Sequence, residues 1–241
     1  MHVSRKAAGN LFVGGAISLT LGSLLYPSML GVQKVGSAPE RVVANPATGP
    51  LTEADRDFVV KVRSAGLWEY PVGRTASKKG TTKAVRTAGE HLADGDAALD
   101  AACRDVAVRL GIALPDQPSP QQQGFAARLN AESGKQFDTD LATIVRTTNG
   151  QFLPVIANVR TITRNSLVRA LADQVNDTVL DHIAAVERTG LVDFGQVVLQ
   201  ETTAPTLAAQ DLTPPPAVAG QPQVVLTPPA NSTVSPRPTQ G

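Results

Sequence analysis

Apolar residues recur through the middle of this chain at alternating steps of three and four, the spacing that collects side chains on one face of an α-helix. Four such stripes stand out. The first reads Phe58, Val62, Ala65, Gly66, Glu69, Val72, Gly73, Ala76, and Thr52-Glu53-Ala54-Asp55 precedes it as a capping box. The second reads Val85, Ala88, Leu92, Gly95, Leu99, Cys103, Val106, Leu110, a seam of nearly 3.5-residue period over about 82–112 that stops at Leu114-Pro115. The third starts near Gly134 and reads Phe137, Leu141, Ile144, Thr148, Phe152, Val155, Val159, Ile162. The fourth starts near Asn165 and reads Val168, Ala172, Val175, Val179, His182, Val186, with Gly190 placed as its C′ residue. Between the second and third, Ser119-Pro120-Gln121-Gln122 supplies an N-cap, a proline at N1 and a glutamine at N3, which predicts a short helix to about Asn130. Pro71 and Pro154 lie inside the first and third stripes and predict kinks. No segment sustains a period of two. The pattern therefore predicts an all-α protein, a four-helix bundle over residues 51–195.

Both flanks differ from this middle. His2, Arg5 and Lys6 make a short basic start, and from Ala7 to Gln33 there is no charge. That order marks an export signal, and the run is long enough to span a bilayer. Residues 1–35 are expected to be a signal peptide or an uncleaved transmembrane anchor, with the bundle outside the cytoplasm, and residues 36–50 a linker. At the other end, residues 204–241 hold nine of the 18 prolines and two charges, Asp211 and Arg237. Leu212-Thr213-Pro214-Pro215 returns as Leu226-Thr227-Pro228-Pro229. Residues 196–241 are expected to be a disordered, Pro-rich tail, a spacer or a segment that contacts a protein or glycan.

Charge excludes one class of partner. The chain carries +1 overall, and residues 51–193 hold 17 Lys/Arg against 18 Asp/Glu. A nucleic-acid partner requires a concentrated basic face, and none is present. The single cysteine, Cys103, forms no intrachain disulfide and falls on an apolar stripe, where it reads as a small buried hydrophobe. Trp68 lies off its stripe and is expected to pack on the linker or the short connector helix.

The segments LTEADRDFVVKVRSAGLWEYPVG, AGEHLADGDAALD and TRNSLVRALADQVNDTVLDHIAAVERTGLVDF resemble the bacterial domain of unknown function 4142, most closely its actinobacterial members. The resemblance covers roughly residues 50–195. It implies a ferritin-like bundle that is exported or membrane-anchored, and it implies no activity. Related members tend to carry histidine where this chain has Asp96 and Asn149.

Ferritin-like metal sites take one carboxylate from each of two helices and a Glu-x-x-His pair from each of the other two. This chain has no Glu-x-x-His, since Ala88 precedes His91 and Val179 precedes His182 by three. A conventional di-iron site is therefore not expected, and no cofactor or catalytic residue is assigned. Four polar residues lie on or beside the stripes and are the candidates for a divalent metal: Glu69, His91, Asp96 and His182. Each also has a plainer reading. Glu69 would bond backbone groups freed at Pro71, His182 would hydrogen-bond across the core, and His91 and Asp96 would sit at the solvated edges of the second stripe. At about 1.5 Å per residue, Glu69 and His91 both lie about 16 Å from the turn near Gly80. The leading expectation is a non-enzymatic envelope protein. The alternatives are a degenerate ferritin-like metal-binding or redox bundle and a partner-binding module working through the tail.

Overall fold

The computed structural model describes residues 41–203, 208–218 and 220–229. The N-terminal run expected to be a signal or anchor lies outside them. Among the described residues no helix is long and apolar enough to cross a membrane.

A two-stranded antiparallel ribbon, β1 (Val42–Ala44) with β2 (Leu51–Thr52), opens the described chain. No strand was expected there. α1 (Glu53–Lys79) follows at once. Thr52 accepts from the Asp55 amide, and the Asp55 carboxylate accepts from the Thr52 amide at 2.9 Å, so the capping box is reciprocal. α1 continues through Pro71 as one helix. α2 (Lys83–Leu110) is capped by Thr82 and ends on Gly111, whose φ of 66° is the left-handed conformation glycine adopts at lowest cost. α3 (Pro120–Ala131) has the Ser119–Gln122 capping box and the proline at N1. α4 (Gly134–Ile162) continues through Pro154, and α5 (Ser166–Glu187) is capped by Asn165, whose Oδ1 accepts from the Leu167 and Val168 amides.

α1, α2, α4 and α5 are the four long helices of the predicted bundle. α1 packs on α2, α2 on α5, and α5 on α4. α1 and α2 approach closely where Gly73 faces Gly89; a Cβ on Gly73 would lie 2.9 Å from the Gly89 carbonyl oxygen. Small residues here let two backbones touch. Trp68 is buried against α3, its ring centroid 5.7 Å from that of Phe125.

The core falls into two apolar clusters. One gathers Phe58, Val62, Leu99, Val106, Ile156 and Val175. The other gathers Val72, Val85, Leu92, Phe137, Leu141 and Val186. Burying each large side chain is worth about 1.5–3 kcal/mol. Along each of the four long helices, the change from one cluster to the other comes at or beside a buried polar residue: Glu69, Asp96, Asn149 and His182.

Within the range 196–241, expected to be a disordered tail, the described residues include ordered segments. Phe194–Thr202 form α6, capped by Asp193, with Val197 buried against α4 and Glu201 paired with Arg146. Ala209–Leu212 form a short α7 beside α3. Residues 224–227 dock on the bundle. Asp116 Oδ1 accepts from the Val224 amide at 3.1 Å, and the Val224 carbonyl accepts from Arg63 at 2.6 Å. Asp100 Oδ2 accepts from the Leu226 amide at 3.0 Å, and the Thr227 carbonyl accepts from the Tyr70 hydroxyl at 2.7 Å. The Leu226 side chain is buried with Leu67 and Ala97, above Gly66. Prolines kept this segment out of a helix, but an extended backbone can still be bound through its peptide groups.

Candidate metal centre

Glu69 stands on the stripe of α1, and so faces the interior. Its carboxylate does not turn back to the backbone near Pro71. Asn149 Nδ2, from α4, donates to Oε1 at 3.2 Å and to Oε2 at 3.0 Å, and also to the Val145 carbonyl one turn back. His182 Nδ1, from α5, lies 2.8 Å from Glu69 Oε1. His182 thus makes a close polar contact across the core, and its partner is Glu69.

Asp96, from α2, corrects the solvated-edge reading. It is buried, with 4 % of its surface exposed. Its carboxyl is held well above the ordinary carboxylate range, first by burial and then by the neighbouring charges of Glu69 and Asp100. Oδ2 of Asp96 and Nε2 of His182 are both buried without a hydrogen-bond partner. Buried polar atoms are nearly always paired, so two unpaired atoms in one layer need a cause. One ligand atom each from Glu69, Asp96 and His182 lies within 4.8 Å of the others, close enough to share one ion.

Gly95 makes room for this arrangement. A Cβ at that position would overlap Nε2 of His182 and come within 2.9 Å of Thr178 Cγ2. His91 does not take part. It is exposed and borders a separate hollow with Lys83 and Arg188, neighbours that repel a cation. Cys103 is buried on α2, donates to the Val59 carbonyl at 3.3 Å, and has its thiol pushed up to about 12 by burial, which keeps it out of metal chemistry.

The site opens onto a cavity of about 220 Å³ bordered by Glu69, Asp96, Asn149 and His182. Trp68, Phe125 and Phe152 form apolar walls, and the tail contributes Leu212 and Pro214. On the far side of Asp96 lies a buried ion pair. Arg63 binds Asp100, Arg104 Nε lies 2.9 Å from the other Asp100 oxygen, and Arg63 also donates to the Pro115 carbonyl at 3.1 Å. Each helix thus contributes a polar group at one level, and Asp96 is the carboxylate with no counter-charge of its own.

The family model for the domain of unknown function DUF4142 matches residues 41–189. The chain belongs to this family. No curated protein and no solved structure matches it. Every ligand candidate of the layer falls within the DUF4142 match. Leu212 and Pro214, which border the cavity from the tail, fall outside it.

Four residues around the site carry no assignment from the sequence pattern. Asn149 had a signal, since it sits four residues after Val145 on the buried side of its helix. Gly95 was read only as part of a stripe. The Arg63–Asp100 pair had none, because nothing in sequence spacing joins residues 37 apart on different helices.

Proposed function

We propose that this protein is an extracytoplasmic helical bundle that holds one divalent transition-metal ion between Glu69, Asp96 and His182. The observation that carries the reading is the convergence of these three buried side chains with two unpaired polar atoms among them. Two carboxylates and one imidazole are a mixed oxygen–nitrogen donor set. It suits zinc, manganese or ferrous iron better than calcium or magnesium, which favour oxygen alone. A divalent ion would neutralise Glu69 and Asp96 together and remove the repulsion between them. Asn149 would hold Glu69 in place, as an outer hydrogen bond commonly does for a ligating carboxylate. One polar group from each of four long helices at one level would be a reduced version of the ferritin-like ligand set. The uncharged run from Ala7 to Gln33 behind a basic start supports delivery to the envelope, with the membrane as partner of that segment.

Elemental analysis of the full-length protein tests the reading. One equivalent of a transition metal is expected in the wild type and less than a tenth of that in Glu69→Ala and His182→Ala. Retention of the metal in both variants would contradict it.

A further inference from the structure

We infer that the cavity beside the metal layer binds a small organic anion, a carboxylate or phenolate with a single ring or a short branched chain, through an oxygen placed on the ion. The inference rests on the metal reading above and adds the class of ligand.

Three protein ligands leave at least one coordination position open on a tetrahedral or larger sphere, the arrangement of metal sites that take up an external ligand. All three ligating residues border the same cavity, so the open position gives onto it. The volume of about 220 Å³ exceeds the roughly 150 Å³ that admits a benzene-sized guest. The guest is therefore larger than water or hydroxide.

The walls choose its chemistry. Trp68, Phe125, Phe152 and Val179 offer carbon surface. Several polar groups around the cavity are already engaged. Ser64 donates to Gln122, and Thr148 donates to the Ile144 carbonyl at 3.0 Å. A sugar would need donors and acceptors over most of its surface, and beside Gln121, Gln122 and Gln151 the wall is mostly carbon. A phosphate would keep further anionic oxygens after binding the ion, and the cation that the lining offers them is Lys61, exposed at the rim. An organic ammonium would need an uncompensated carboxylate. The ion takes both Glu69 and Asp96, while Asp100 is bound by Arg63 and Arg104. An anionic oxygen on the metal with an apolar body against the rings matches both the ion and the aromatic wall.

The tail completes the site. Leu212 and Pro214 border the cavity, so the ligand-binding surface includes residues beyond the family match.

Cobalt(II)-loaded full-length protein, titrated with benzoate and separately with phosphate, tests the inference. The visible bands of bound cobalt report a new oxygen ligand. Benzoate is expected to shift them saturably at one equivalent per cobalt, and phosphate to leave them unchanged. Ala65→Phe fills the cavity from a half-buried position, and Leu212→Ala removes part of its wall from an exposed one. Both should retain one cobalt and bind benzoate about tenfold more weakly, about 1.4 kcal/mol. If Ala65→Phe fails to fold, Leu212→Ala carries the comparison. Bound cobalt with no response to benzoate, an equal response to phosphate, or unchanged benzoate affinity in the folded variants would overturn this inference and leave the metal reading standing. Failure to bind cobalt at all would overturn both.

Discussion

Nδ1 of His182 on α5 lies 2.8 Å from Oε1 of Glu69 on α1, within a polar layer flanked by two apolar clusters. The two residues are far apart in sequence, and neither has water to fall back on. Removing one partner of a buried pair strands the other. His182→Ala should therefore destabilise the metal-free protein by about 3–5 kcal/mol in urea unfolding. Glu69→Ala should cost less, because it also removes the charge that repels Asp96. The reverse order of the two variants would mean that Asp96 is not strained by Glu69.

Asp96 contributes a pH dependence to the metal-free protein. Burial, Glu69 and Asp100 raise its folded-state value well above the ordinary 3.8, so the folded chain holds a proton that the unfolded chain releases. The stability this proton gives is fully present below the unfolded value and is lost as pH rises through the folded one. The metal-free protein should lose stability as pH rises above about 4. Asp96→Asn should flatten that slope, and denaturant melts across the range measure it. Metal affinity should move the opposite way and rise with pH, since the ion must displace the proton.

Gly95 gives a test of space rather than charge. A methyl there overlaps Nε2 of His182. Gly95→Ala raises intrinsic helix propensity by about 1 kcal/mol, yet it should destabilise the protein and lower metal occupancy. A fully occupied, more stable Gly95→Ala protein would show that the imidazole does not need its present seat.

The docked tail predicts a specific exchange pattern. The amides of Val224 and Leu226 donate to Asp116 and Asp100 and should be protected from hydrogen exchange, while Val225 between them exchanges faster. Leu226→Asp would place a negative charge beside Asp96 and Asp100 and should abolish the protection. Arg63→Ala should act more broadly and cost about 3–5 kcal/mol, because it leaves Asp100 buried with only Arg104. Equal exchange at all three amides would contradict the docking.

The sequence made the helices legible because each boundary carries a local signal. Thr52, Ser119 and Asn165 cap where side-chain chemistry predicts, and Gly111 closes α2 in the left-handed conformation. The grouping of site residues was only partly legible. Counting height from the turn near Gly80 pairs Glu69 with His91, but height does not decide which residue faces inward. His91 and Asp96 are five residues apart, about 140° on a helical wheel, so the two cannot both point at Glu69. The Gly73–Gly89 contact fixes the rotation, and it turns Asp96 in and His91 out. The docking of residues 224–227 is illegible for a different reason. Composition reports the lack of an apolar stripe but not the presence of Arg63, Asp100, Asp116 and Tyr70, which bind its backbone from elsewhere in the chain.

The most direct test of the central claim is X-ray absorption on full-length protein loaded with one equivalent of zinc. The account predicts a first shell of nitrogen and oxygen donors at about 2.0–2.2 Å, with the scattering of one imidazole and no sulfur. Two imidazoles, a sulfur ligand, or a shell of water alone would place the ion somewhere other than between Glu69, Asp96 and His182.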